Sequence, residues 1–232
     1  MNAPAPNLGA AMQGGRAAGQ APGRHANDFY PTPAAVTDVL IDHWLDEWCG
    51  ENDVVWEPAA GNGAMVRRLS AAGIRTIGSD LHAYTGPDGL PTGYQSGVDF
   101  LSAEFPEALW ALPRGPRITV VTNPPFKLAA AFVERAAALM QTGAIDAFAF
   151  FLKATFWHAR SRLDLFHRAP PALVLPLTWR PDFDGRGCPT MDCMWNVWTP
   201  KMIPGQTRYL PIPRTEDVRC RKSTDAAAGV TR

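Results

Sequence analysis

Cysteine is scarce in this chain, and its arrangement excludes the common uses of cysteine. Four occur in 232 residues: Cys49, Cys188, Cys193 and Cys220. They form no Cys-x-x-Cys pair and have no histidine nearby at ligand spacing, so no metal site is expected and the thiols read as free in a reducing cytoplasm. Excess charge is also absent, with 22 basic residues against 22 acidic ones. A chain-wide field that would attract nucleic acid or a membrane surface is therefore excluded, and any basic face has to be local. No apolar run approaches the roughly 18 residues needed to span a bilayer, so no membrane association is expected. Residues 1–27 carry large apolar side chains only at Met1, Leu8 and Met12. They lack the cationic start and continuous apolar stretch of an export signal and read as a disordered tail. No internal repeat is visible.

What remains is a globular composition, 46% hydrophobic and 19% charged, in a chain long enough for one domain with a sizeable core. That domain is expected over residues 28–205, followed by a flexible basic tail at 206–232. The pattern predicts a helix from Thr32 to about Trp48, with Thr32 as N-cap and Pro33 at the first helical position. A short buried strand at 54–56 leads through a glycine-containing turn to a helix ending near Ala72. A second strand at 74–78 ends at Ser79-Asp80, and residues 98–101 read as the end of a very short third strand. Further helices are expected at 104–112, 128–140 and about 155–168, and further strands at 118–122, 145–152, 173–177 and 194–198. Strands alternating with helices imply an α/β sheet, mostly parallel and covered on both faces. Ligands bind such sheets beyond the carboxyl ends of the strands, where the motifs of this chain fall.

The most informative of these is Asn123-Pro124-Pro125-Phe126, directly after the β-branched run Ile118-Thr119-Val120-Val121-Thr122. Two consecutive prolines can neither donate to a ladder nor continue a helix, so the backbone there forms a rigid loop. Such a loop fixes the Pro124 carbonyl beside the Asn123 amide, with the Phe126 ring alongside. Two convergent acceptors and a stacking surface suit a flat group that carries an NH2, and hence methyl transfer to an exocyclic amine.

Glu57-Pro58-Ala59-Ala60-Gly61-Asn62-Gly63 occupies the first strand-to-helix turn. Its glycines permit a tight turn and close approach of a ligand. It departs from the dinucleotide fingerprint because Val66 stands at the third glycine position, and the opening acid suits a ligand with positive charge better than a phosphate. S-adenosylmethionine fits, with its ammonium, sulfonium, ribose hydroxyls and adenine. Asp80 stands at the strand end where a carboxylate commonly meets a ribose, and Asp99-Phe100 offers an acceptor beside an apolar ring.

The order of these elements resembles the S-adenosylmethionine-dependent DNA N6-adenine methyltransferases, especially the short phage and prophage type, over about residues 28–200. The resemblance implies a Rossmann-like methyltransferase fold with a mostly parallel seven-stranded sheet, small target-recognition loops and S-adenosyl-L-methionine as cofactor. It implies a cytoplasmic enzyme acting on an adenine in DNA that is flipped or single-stranded. Asn123, Pro124, Pro125 and Phe126 would be catalytic. Tyr30, Thr32 and Pro33, in a Tyr-x-Thr-Pro segment, would join Glu57, Pro58, Ala59, Gly61, Gly63, Asp80, Asp99 and Phe100 at the cofactor. Trp179 and Phe183 are candidates for the far wall of the base pocket, and Lys153 and Arg180 for phosphate contacts. Related loops serve methyltransferases of rRNA guanine and of protein glutamine, and a non-catalytic nucleic-acid-binding protein on the same fold is a reading of another class. The recognition sequence and the oligomeric state are left open by the sequence.

Overall fold

The computed structural model of the chain describes residues 30–102, 105–183, 185–200 and 206–214. The tail expected at 1–27 therefore lies outside the described residues. The chain enters at Tyr30 and forms α1 (Ala34–Leu40), which continues through a π-helical turn (Ile41–Leu45) into α2 (Asp46–Trp48). Then follow β1 (Val54–Glu57), α3 (Ala64–Ala71), β2 (Thr76–Asp80) and β3 (Gln95–Ser96). The second half contains α4 (Glu107–Trp110), β4 (Ile118–Thr122), α5 (Ala129–Gln141), β5 (Ala147–Lys153), α6 (Leu163–Arg168), β6 (Leu173–Pro176), β7 (Cys193–Trp198) and β8 (Arg208–Tyr209). No helix among the described residues is long and apolar enough to cross a membrane.

The strands form one sheet in the order β3-β2-β1-β4-β5-β7-β6-β8. Its centre is parallel: β1 pairs β2 and β4, and β4 pairs β5. Only β7 runs antiparallel to its neighbours, β5 and β6. From β1 the chain builds outward through β2 and β3, then returns to lay β4 on the other side of β1. The β1/β4 crevice is therefore a topological switch point, where sheets of this kind bind ligands.

Alternation along each strand explains why both faces are covered. Phe148, Phe150 and Leu152 of β5 face one cluster, with Phe132, Val133 and Ala136 of α5 and Leu165 of α6. Ala149 and Phe151 face the opposite cluster, with Val36 and Leu40 of α1 and Met65 and Leu69 of α3. Every residue from Ala147 to Leu152 is buried, which is what a strand covered on both sides requires. Four buried indoles tie these layers together by satisfying their own N–H groups. Trp48 Nε1 donates to Thr119 Oγ1 (2.8 Å), Trp56 Nε1 to Ser79 Oγ (2.9 Å), Trp195 Nε1 to the Val36 carbonyl (2.8 Å) and Trp198 Nε1 to the Ala169 carbonyl (2.8 Å).

The structure corrects five details of the sequence reading. The sheet has eight strands rather than seven, because Arg208–Tyr209 adds in parallel to β6; the expected tail thus begins by extending the sheet. The third strand is Gln95–Ser96, not residues 98–101. There the Asp99 carboxylate accepts the Leu101 amide (2.9 Å), a local turn that competes with the ladder. Thr32 is not the N-cap of α1: Pro33 holds that position, and no side-chain cap bond forms. The helix expected at 155–168 is broken into single turns at Phe156–His158 and Arg160–Arg162 before α6, with Ala159 extended between them. Tertiary anchors override helix propensity there, since Trp157 Nε1 donates to Asn196 Oδ1 (2.9 Å) and Arg162 stacks on Phe156 at 3.9 Å. The fifth detail is α4, which is confined to one turn, Glu107–Trp110.

Trp198 stacks on Phe148 at 4.4 Å and is 2% exposed. Trp198→Ala is expected to destabilise the protein by about 3–5 kcal/mol in urea unfolding, the cost of a large aromatic cavity plus a lost indole bond.

Candidate active site

A cavity of ≈ 630 Å³ opens along the carboxyl ends of β1, β2 and β4, a size suited to a small organic ligand. Four strand-end segments and the entering chain build it. The turn after β1 contributes Glu57, Pro58, Ala59 and Gly61; the end of β2 contributes Asp80; the turn after β3 contributes Asp99 and Phe100. The loop after β4 contributes Asn123, Pro124, Pro125 and Phe126, and the entering segment contributes Tyr30 and Thr32. Thirteen of the residues expected at the site thus share one cavity.

The β1 turn is held by backbone geometry. Gly61 and Gly63 have φ of 54° and 78°, left-handed values that favour glycine. Gly63 lies outside the cavity lining as the N-cap of α3, where the Arg67 guanidinium and the Tyr94 ring leave little room for a Cβ. Pro33 likewise is a helix start and does not line the cavity. Asp80 fastens the two loops together: one carboxylate oxygen accepts the Gly61 amide and the other the His82 amide, both at 2.9 Å.

Glu57 is the most unusual group in the cavity. It is 3% exposed, and its Oε2 is buried with no hydrogen-bond partner among the described residues. Burial drives its carboxyl well above the ordinary range and Asp80 adds to the rise, while the Val66 amide and Arg67 oppose it. Burial likewise raises Asp80, against the amides of His82 and Gly61. A buried acceptor of this kind is stabilised by a ligand that brings a hydroxyl or a positive charge. Phe100 has two roles: it lines the cavity and is also 2% exposed in the core, packed on Phe132 at 4.9 Å and Trp56 at 5.3 Å.

At the end of β4, Asn123 has a fixed polarity. Its Nδ2 donates to Thr32 Oγ1 (3.2 Å) and to the Tyr30 carbonyl (3.4 Å). A carbonyl only accepts, so the nitrogen has to face Tyr30 and the oxygen has to face away. Asn123 Oδ1 is buried and has no partner among the described residues. Beside it the Phe126 ring lies 5.6 Å from Tyr30 and under the Lys153 ammonium at 4.3 Å. Phe183 is 5.8 Å from Tyr30 and so borders this aromatic group. Trp179 and Arg180 are not drawn into the cavity. Arg180 pairs with Asp192 at 2.7 Å, and Trp179 has the Arg214 guanidinium 5.8 Å from its ring.

His82 and Tyr84 also line the cavity, although no motif singles them out. Their one sequence signal is position, just past the carboxyl end of β2. Burial pushes Cys193 and Cys49 up to about 12 and about 11, which disfavours their thiolates at neutral pH.

Solved structures share this architecture. A Listeria monocytogenes protein proposed to be a class I S-adenosylmethionine-dependent methyltransferase superposes with a TM-score of 0.51 at 11% identity, over 92% of this chain and 73% of that one. A Pyrococcus horikoshii protein proposed to be an RNA methyltransferase gives 0.51 at 15% identity, over 79% and 94%. The chain has the class I methyltransferase fold. No family model matches the sequence, and no curated protein matches it significantly.

The raised Glu57 carboxyl contributes to the pH response of the ligand-free protein, in the same direction as the raised Asp80. A folded-state pKa above the unfolded value of about 4.3 means that the folded chain binds the proton more tightly, so stability rises as pH falls through the raised pKa toward that value. Glu57→Gln is expected to reduce this acid-dependent gain, leaving the part due to Asp80, and to stabilise the ligand-free protein above the raised pKa by about 1–3 kcal/mol, read from thermal midpoints across a pH series.

Proposed function

We propose that this chain is an S-adenosylmethionine-dependent methyltransferase that methylates the exocyclic N6 of adenine in DNA. The observation that carries the reading is Asn123: a cavity-lining residue whose buried carbonyl oxygen has no partner among the described residues and whose amide protons are already taken. The fold supports the cofactor class. The loop at Asn123 suits any planar amine, and the resemblance of the Tyr30 to Pro33 segment is what supports adenine in DNA over guanine in rRNA or a protein glutamine.

The cavity suits the cofactor chemically. Glu57, with its unpaired oxygen, and Asp80 would hold its hydroxyl and ammonium groups, and Asp99 with Phe100 its adenine. When bound, S-adenosylmethionine would supply a methyl group activated by a positively charged sulfur whose loss as a neutral thioether is favourable. The chain's own part is orientation. An adenine amine is a poor nucleophile because its lone pair is delocalised into the ring. Asn123 Oδ1 and the Pro124 carbonyl accept its two N–H groups and favour a pyramidal nitrogen with the lone pair exposed. Pro125 keeps the loop rigid, and its carbonyl anchors the following helix by accepting the Leu128 amide (2.9 Å). Phe126 presents an apolar face to the base. One amine proton is released to solvent, since neither acceptor is a base at neutral pH. Positioning of this kind supplies a large share of a rate enhancement without a covalent intermediate. The target base has to leave its stack, at a cost of about a few kcal/mol in a duplex.

Labelled-methyl transfer to adenine-containing DNA, with rRNA and protein as controls, tests the reading. Transfer to DNA adenine is expected, and Asn123→Ala is expected to lower it by about 100-fold or more while cofactor affinity is retained. Transfer confined to rRNA or protein, or near-normal turnover by Asn123→Ala, contradicts it.

A further inference from the structure

Thr32 occupies a position where a hydroxyl ordinarily caps the following helix. Here it does not cap: Pro33 is the N-cap of α1, and no side-chain bond serves the helix end. The hydroxyl instead meets Asn123 Nδ2 at 3.2 Å, across 91 residues of sequence. It is 7% exposed, so water does not compete freely for it. The Tyr30 carbonyl takes the second amide proton at 3.4 Å. Both contacts are long, and the Thr32 contact is the shorter of the two. Together they use the whole donor capacity of the amide and leave its buried oxygen as the one unpaired end of a residue that lines the cavity.

We infer that Thr32 is a positioning residue for the transfer. It fixes the plane of the Asn123 amide so that Oδ1 points at the amine, and its role is not to contact the cofactor. The inference rests on the proposed reading of the Asn123 loop as the amine-binding element. It differs from the sequence expectation, which groups Thr32 with the cofactor residues. Its physical content is an asymmetry. Tyr30 supplies a backbone carbonyl that no substitution removes, and it decides which end of the amide is the nitrogen. Thr32 supplies the second contact, which stops rotation of the amide about the first. Without it the nitrogen stays near Tyr30 but the oxygen sweeps an arc, and the fraction of time spent aligned with the amine falls.

The test compares Thr32→Val, which keeps the shape and removes the acceptor, with Thr32→Ser, which keeps the acceptor. Steady-state methyl transfer by the full chain is expected to show kcat about tenfold lower in Thr32→Val, with the S-adenosylmethionine Kd within about twofold of the parent and activity largely restored in Thr32→Ser. A Kd that rises in step with the loss of activity would make Thr32 a cofactor contact and overturn the inference, as would an unchanged kcat. A second readout needs no turnover. In 15N spectra the side-chain amide pair of Asn123, assigned by its disappearance in Asn123→Ala, is expected to exchange with water slowly in the parent and Thr32→Ser and faster in Thr32→Val. Equal exchange in all three overturns the inference. Because this signal needs no substrate, selective loss of protection in Thr32→Val supports the positioning even if the parent fails to methylate adenine, so failure of the adenine reading is seen separately.

Discussion

Parallel pairing of β1 with β4, in the register Val55 to Thr119, sets where everything else in the molecule can be. It brings the carboxyl ends of two strands, distant in sequence, side by side at the point where the sheet changes direction. Glu57 closes one of those strands and Asn123 follows the other. Because β2 also runs parallel to β1, Asp80 ends at the same edge. An antiparallel partner at either place would carry its loop to the opposite edge and separate the acids from the amide. The two-sided core is what makes this pairing stable, since alternating residues of β1, β4 and β5 each have a helical layer to bury against.

The edge so formed keeps polar atoms that a purely structural design would have satisfied. Buried donors and acceptors are nearly always paired in folded proteins. Glu57 Oε2 and Asn123 Oδ1 are exceptions on two residues that line one cavity, one on an acid and one on an amide. Each costs stability in the ligand-free chain, and each can be satisfied by a different kind of donor. Glu57 suits a charged or hydroxylated group, and Asn123 suits a neutral N–H. Two such unlike acceptors suit two different ligand groups, as the proposed transfer requires. The surrounding structure holds both acceptors still: the Val66 amide is bonded to Glu57, and the Tyr30 and Thr32 oxygens to Asn123.

Local chemistry made much of this legible. Two prolines after a β-branched run announce a rigid loop in any context, and an acid followed by glycines between a strand and a helix announces a tight turn near a ligand. Those signals depend only on neighbouring residues, and the residues concerned meet in one cavity. What the sequence hid depends on distant partners. Nothing near Thr32 indicates that its hydroxyl leaves the helix start to meet an asparagine 91 residues away. Nothing near Trp157 tells that its indole reaches Asn196 and breaks a helix otherwise well patterned. The eighth strand is only Arg208–Tyr209, too short for alternation to mark it, and it exists because β6 offers a free edge. His82 and Tyr84 reach the cavity by following Asp80, not through any motif.

The central claim is that the two unlike acceptors hold a methyl donor and an adenine of DNA. The most direct measurement is to express the protein in a host that lacks adenine methylation and to map N6-methyladenine across its genome. The account predicts methylated adenines that depend on an intact Asn123. Unmodified DNA from cells that contain folded protein able to bind S-adenosylmethionine would contradict it.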